Sequence, residues 1–169
     1  METDLTAESR ISNNEYFLAM AVGAAMRGTC ARRKVGCVLT DVRGHVLSTG
    51  YNGVASGVEH CSEKPCPGAS YPSGQGLEHC RAIHAEENAM IQCRHPFEVH
   101  TAYVTASPCR SCTYKLLNTS CQRIVFIDEY PHSESKEIWT STRGEWIRFD
   151  IDQFIYRPPG YDRLIWRTQ

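Results

Sequence analysis

A layered α/β domain, a sheet with helices on both faces, is the fold class that this 169-residue chain predicts. Three observations carry it. Segments with apolar residues at helical spacing alternate with short apolar runs of strand length. Two of those runs, residues 35–40 and 45–49, flank the turn Asp41-Val42-Arg43-Gly44 and read as a hairpin. The length suits one domain, 1–169, around a single core, and no internal repeat suggests an array.

The elements follow in order. Residues 1–11 are a loose lead-in. Ser12-Asn13-Asn14-Glu15 fits a capping box, and Phe17, Met20, Ala21 and Ala24 continue at helical spacing until Gly28. Val35 to Thr40 is a buried strand, and His45 to Thr49 is its hairpin partner, running into Gly50-Tyr51-Asn52-Gly53. Residues 54–80 form a long irregular stretch rich in Gly, Pro, Ser and Cys. A loop of that length in a small domain is usually functional or pinned. A helix begins at His84, with Ala85, Ala89 and Ile91 as its small and apolar positions. Tyr103-Val104-Thr105 is a short strand, Cys109 to Leu117 a helix, and Arg123 to Ile127 another strand. A helix over Ser133 to Trp139 and a strand over Trp146 to Ile151 complete the pattern. An irregular tail starts at about residue 152 and holds Pro158-Pro159-Gly160, Tyr161 and Trp166.

Composition narrows the function. Eighteen basic residues face 19 acidic ones, so the chain has no global basic footprint for polymeric nucleic acid. No apolar run is long enough to span a membrane, and Met1-Glu2-Thr3-Asp4 does not resemble a signal peptide, which points to a cytoplasmic protein. Nine cysteines without a secretory signal suggest metal binding rather than a disulfide framework. Cys37 and Cys93 sit in apolar patterns and are expected to pack as small hydrophobes. Cys121 carries no readable role.

The chemistry concentrates between His84 and Cys112. His84-Ala85-Glu86-Glu87-Asn88-Ala89 is followed by Ser107-Pro108-Cys109-Arg110-Ser111-Cys112. One imidazole and two thiolates hold a zinc ion and leave its fourth position open. The Cys-x-x-Cys spacing puts both sulfurs on one face of a helical first turn, whose positive end favours the thiolates. Ser107 is the expected N-cap, with Pro108 at the helix start. Glu86 lies where a proton carrier for an activated water is needed, while Glu87 points elsewhere on the helix. The bland alternative is a structural zinc closed by a fourth protein ligand.

The pattern His-x-Glu followed by Pro-Cys-x-x-Cys is the signature of zinc nucleobase deaminases. Together with Thr29-Cys30-Ala31-Arg32-Arg33-Lys34-Val35-Gly36, Gly50-Tyr51-Asn52-Gly53 and His79-Cys80-Arg81, it makes the chain resemble the deoxycytidylate (dCMP) deaminases of phages and bacteria over residues 29–130. The resemblance implies a three-layer α/β/α cytidine deaminase-like fold with a five-stranded mixed sheet. It also implies hydrolysis of dCMP to dUMP and ammonia, feeding thymidylate synthesis, in the cytoplasm (of the host, for a phage protein). Catalytic Glu86 and the zinc ligands His84, Cys109 and Cys112 follow from it. So do a base held by the Ala85 N–H and the Ser107 carbonyl, and a deoxyribose contact from Asn52. A plain Asn-Gly turn is the competing reading for Asn52. Arg33 and Lys34 are nominated for the phosphate, against an ordinary solvated charge run, and Tyr130 for closing over the base or phosphate, against edge packing.

Further implications concern regulation. Members of this family bind dCTP as activator and dTTP as inhibitor near the Gly-Tyr-Asn-Gly run and assemble as hexamers. Gly50, Tyr51 and Gly53 are therefore effector candidates, and a triphosphate effector would bring Mg²⁺. Phage-type relatives hold a second, structural zinc with cysteines matching Cys30 and Cys61. Cys66 and Cys80 would complete such a site, with His60 and His79 as rival ligands. Three alternatives stand beside the main reading: a deaminase of dCTP or a 5-substituted dCMP, a tRNA deaminase, and a non-catalytic nucleotide-binding regulator. Gly-Tyr-Asn-Gly and the near-neutral charge argue against tRNA, and the intact Glu86 against a regulator.

Overall fold

The computed structural model describes residues 10–72, 74–131 and 134–154. Within them, four α-helices surround a five-stranded mixed sheet. The elements are α1 (Asn13–Ala25), β1 (Gly36–Thr40), β2 (Val46–Tyr51), α2 (Ala85–Gln92), β3 (Thr101–Ala106), α3 (Arg110–Leu117), β4 (Arg123–Asp128), α4 (Glu134–Thr142) and β5 (Glu145–Arg148). The strand order is β2-β1-β3-β4-β5. β1 runs antiparallel to β2 and to β3, whereas β3, β4 and β5 are parallel. No helix among the described residues is long and apolar enough to cross a membrane.

Alternation along the strands builds two cores. Val38, Tyr103, Val125 and Ile127 face α1 and meet Phe17, Leu18, Ala21 and Val22. Cys37, Leu39, Val104, Ile124 and Phe126 face the other way and meet Ala85 and Ala89 of α2, Leu116 of α3 and Trp139 of α4. Strands covered on both faces should read as near-continuous apolar runs, and β1, β3 and the middle of β4 are buried throughout.

Several expected boundaries move. Ser12 is the N-cap, its hydroxyl accepting from the Glu15 N–H at 3.1 Å, but α1 stops at Ala25, before Gly28. β2 runs two residues beyond Thr49, so Gly50 and Tyr51 are strand residues. Ile91 is exposed rather than core-facing, because the small residues Ala85 and Ala89 form the contact face of α2. α3 is capped at Cys109, not Ser107. The Ser107 hydroxyl accepts from the Tyr130 N–H at 2.7 Å instead, which ties the end of β3 to the chain after β4. β5 covers Glu145–Arg148 and gives way to a short 3₁₀ turn at Ile151–Gln153. The tail residues Pro158, Pro159, Gly160, Tyr161 and Trp166 lie outside the described residues.

Two glycines set how closely the helices approach. A Cβ on Gly36 would lie 1.9 Å from the Ala21 carbonyl oxygen, and one on Gly50 would lie 2.2 Å from the Ala85 carbonyl oxygen. Both obstacles are helix backbone, which cannot give way as a flexible side chain can. Gly36→Ala and Gly50→Ala should each lose at least about 1–3 kcal/mol of stability. Gly23→Ala, whose Cβ meets nothing within 4 Å, should gain about 0.5–1 kcal/mol by removing a glycine from a helix interior. Urea titrations of the three variants check this, and an unchanged midpoint for Gly50→Ala would mean that α2 does not rest on β2 as described.

Candidate metal centre and active-site pocket

The metal centre forms where two helices begin. His84 is the N-cap of α2, in extended backbone conformation. The segment before it is held by reciprocal bonds to Gly53: Gly53 N–H to Ile83 O at 3.1 Å, and Ile83 N–H to Gly53 O at 2.8 Å. Helix α2 is then fastened to β2, with Asn88 Nδ2 donating to Tyr51 O and Ser48 Oγ donating to Ala89 O, both at 2.8 Å. Cys109 is the N-cap of α3, and its carbonyl accepts from the Thr113 N–H and hydroxyl. The Ser107 N–H donates to Asp128 O at 2.8 Å and anchors this turn to β4.

These constraints bring Sγ of Cys109 and Sγ of Cys112 each to 3.4 Å from Nδ1 of His84. Among the described residues, this is the one group of three metal-ligating side chains whose ligand atoms all lie within 4.8 Å of one another. Tetrahedral zinc, with a bond of about 2.0 Å to nitrogen and about 2.3 Å to sulfur, needs nitrogen and sulfur roughly 3.5 Å apart. The donor set and its spacing therefore fit zinc with three protein ligands.

The electrostatics favour the ligand-competent thiolate. A hydrogen bond from Cys112, with further help from His84, brings the Cys109 thiol down to about 4 against the cost of burial. The same hydrogen bond and burial push Cys112 up. Its contact with Cys109 raises His84 to about 9, so without metal the pair is an imidazolium beside a thiolate. Glu86 is only 3% exposed, and burial lifts its carboxyl above the usual range while His84 pulls the other way. A carboxyl raised in this way accepts and returns a proton near neutrality more readily than an exposed one.

Glu86, His84, Cys109, Ala85, Ser107, Asn52, Arg33 and Tyr130 all line one pocket. It opens at the carboxyl ends of β3 and β4, the usual location for ligands on such sheets. Asn52 is 7% exposed, and its amide accepts from Val35 N–H at 2.8 Å and donates to Arg33 O at 2.7 Å. It is thus a backbone clamp as well as a wall residue. Arg33 Nη2 bonds Asp128 Oδ2 at 2.8 Å. Lys34, bracketed by the two Asn52 bonds, is not on the wall, and Arg32 is. Burial raises the Tyr130 phenol to about 12, so it is a neutral hydroxyl at physiological pH. Arg32 lies within the motif from Thr29 to Gly36 without standing out in it, and Asp128 carries no motif of its own; the role of each depends on which strand ends meet.

Cys37, Cys93 and Cys121 pack in the core, and Cys30, Cys61, Cys66 and Cys80 form two pairs rather than one tight cluster. Cys80 takes the hydrogen bond of Cys30 and falls to about 4, helped by Arg32. Cys61 Sγ accepts from the Cys66 N–H at 3.4 Å. The pairs adjoin, because Ser62 N–H donates to Thr29 O at 3.1 Å and brings Cys61 beside Cys30. His60 lies instead on a separate cavity of about 510 Å³, which it shares with Tyr51, Gly53, Arg27, Thr29 and Asn88. His79 stacks on Tyr71. Gly50 is buried under α2 and reaches neither cavity wall, since its role is helix packing.

Comparison with known proteins agrees with this geometry. The family model of the cytidine and deoxycytidylate deaminase zinc-binding region matches residues 11–128. The deoxycytidylate deaminase of Mycobacterium phage D29 is 40% identical over 128 residues, covering 72% of this chain and 98% of the phage protein. The deoxycytidylate deaminase of Schizosaccharomyces pombe is 38% identical over 126 residues, 72% of this chain, but the chain spans only 38% of that relative's length. In fold, the dCMP deaminase of cyanophage S-TIM5 superposes with a TM-score of 0.63 at 20% identity, over 80% of this chain and 96% of that one. The same phage enzyme, solved in complex with dCMP and dUMP, gives a TM-score of 0.63 over 79% of this chain and 94% of that one. With the zinc-binding region matched over residues 11–128 and a phage relative covered almost end to end, the chain belongs to the cytidine and deoxycytidylate deaminase family, on its deoxycytidylate side.

Proposed function

We propose that this chain hydrolyses dCMP to dUMP and ammonia. The observation that carries the reading is the buried Glu86 carboxyl beside the His84, Cys109 and Cys112 cluster, in a pocket that also holds Asn52 and Arg33. A zinc ion held by those three ligands acidifies water and makes it a better nucleophile. Two thiolates offset much of the metal's charge, so a base is still required, and Glu86 supplies it. Glu86 takes a proton from water as the water oxygen bonds to C4, and passes it to N3. It then carries the second proton to the exocyclic nitrogen as the C4–N bond breaks and ammonia leaves. The Ala85 N–H holds the base carbonyl, the Ser107 carbonyl accepts from the exocyclic amine, and Asn52 meets the sugar. Arg33 is the cation for the phosphate, with Arg32 beside it in place of Lys34, and Tyr130 closes the pocket. The named alternatives, dCTP or a 5-substituted dCMP, share this chemistry and differ in what the phosphate end and C5 edge accept. Glu86→Ala should keep its zinc and its fold and lose on the order of 10²- to 10⁴-fold in rate. Ammonia release from dCMP, with zinc content measured in parallel, tests this. A zinc-loaded Glu86→Ala that retains most of its activity would defeat the mechanism.

A structural zinc at Cys30, Cys61, Cys66 and Cys80 belongs to the same reading. The two adjoining thiol pairs support it, and the metal would draw them together and pin the 54–80 segment. Metal analysis of purified protein should give two zincs per chain. A stoichiometry of one, with Cys61→Ser no different from the parent, would remove the second site.

Effector control is the other part. The 510 Å³ cavity lined by Tyr51, Gly53, Arg27 and Asn88 lies directly behind α2, whose N-cap is a metal ligand. There dCTP with Mg²⁺, or dTTP, would bias α2 between two positions in a homo-hexamer. Adding dCTP should change the shape of the rate curve against dCMP, with a hexameric mass by light scattering. Hyperbolic kinetics indifferent to both nucleotides would rule effector control out.

A further inference from the structure

The metal ligands come from two helices that touch each other little, and outside the ligand cluster and Glu86 the Glu87 side chain links them. Glu87, third residue of α2, accepts the His84 backbone N–H on Oε2 at 3.0 Å. Its other oxygen, Oε1, pairs with Lys115 Nζ on α3. Lys115 lies three residues beyond Cys112, on the next turn of the helix that carries both thiols. One carboxylate therefore grips the backbone of the imidazole ligand and the helix of the thiol ligands together. We propose that Glu87 is a positioning residue that latches the two halves of the metal centre and slows metal loss. The inference rests on the metal-centre reading above.

This role is distinct from general stabilisation. Glu87 is 22% exposed and Lys115 48% exposed, and ion pairs so placed contribute little to global stability. What the pair restricts is relative movement of the two helix N-termini, which is the movement that opens a three-ligand site. Partners around a metal-bound histidine commonly change metal affinity by about 10- to 100-fold when removed. The Glu87 side chain bonds the His84 backbone and Lys115 rather than a ligand atom, so its effect belongs at the lower end of that range. Gln at position 87 keeps an acceptor for the His84 N–H and loses the charge that holds Lys115. Ala loses both.

The test is the rate at which a chromogenic chelator strips zinc from the loaded protein, with the thermal midpoint recorded beside it. Glu87→Ala should release zinc about tenfold faster than the parent. Glu87→Gln and Lys115→Ala should be faster by a smaller and equal factor, with little change in thermal midpoint. The double variant Glu87→Ala/Lys115→Ala should be no faster than Glu87→Ala alone, because the link is already cut. If Glu87→Ala does not fold, the other two single variants carry the comparison. Release rates equal to the parent, effects that add in the double variant, or a loss of midpoint without faster release would each overturn the latch. A parent protein that binds no zinc would overturn the metal-centre reading itself, and that outcome is visible before any variant is made.

Discussion

Everything at this site depends on three ligand atoms converging from two segments 25 to 28 residues apart. An imidazole nitrogen and two sulfurs within bonding reach of one ion leave almost no latitude in where α2 and α3 begin. The fold meets that demand with backbone. The Gly53–Ile83 bridge delivers His84, the Ser107–Asp128 bond delivers Cys109, and Gly50 lets α2 rest directly on β2. The Cβ-free contact at Gly50 is thus as much a part of the metal centre as the ligands are.

Burial and hydrogen bonds divide the electrostatic work. Glu86 sits at the beginning of a helix, yet burial outweighs its neighbours and its carboxyl is lifted. Cys109 moves the other way because it receives hydrogen bonds as well as a positive neighbour. Contacts inside one small cavity thus move the two groups in opposite directions, the carboxyl toward holding a proton and the thiol toward the thiolate that a metal takes. Arg33 is held in a similar way: its backbone is clamped by Asn52 and its guanidinium by Asp128, so one of the two arginines on the pocket wall is fixed by the fold itself.

The segment from 54 to 80 solves a different problem. It has little apolar core and is held by polar and sulfur contacts. Arg32 donates to the carbonyls of Tyr71, Pro72 and Gln75 at 3.4, 3.2 and 2.8 Å, and the cysteine pairs lie beside that staple. Leu77 and Cys80 then reach the pocket wall. A loop stapled in this way can shape the substrate pocket without a packed core of its own.

The sequence by itself determined the layer class, the hairpin, the N-cap at Ser12 and the grouping of His84, Cys109 and Cys112 with Glu86 beside it. These depend on short-range spacing, which a linear chain displays directly: period two for strands, i to i+3 for the thiols, two residues from imidazole to carboxylate. Only the tertiary structure decided that Arg33 and Arg32 face the pocket while Lys34 does not, that Gly50 packs a helix, and that Ser107 ties Tyr130 rather than capping α3. It also decided that Glu87 joins α2 to α3 and that Asp128 holds Arg33. Each of those facts is a pairing between residues far apart in the chain. Such pairings follow from strand order and helix docking, and no local pattern of residue types records them.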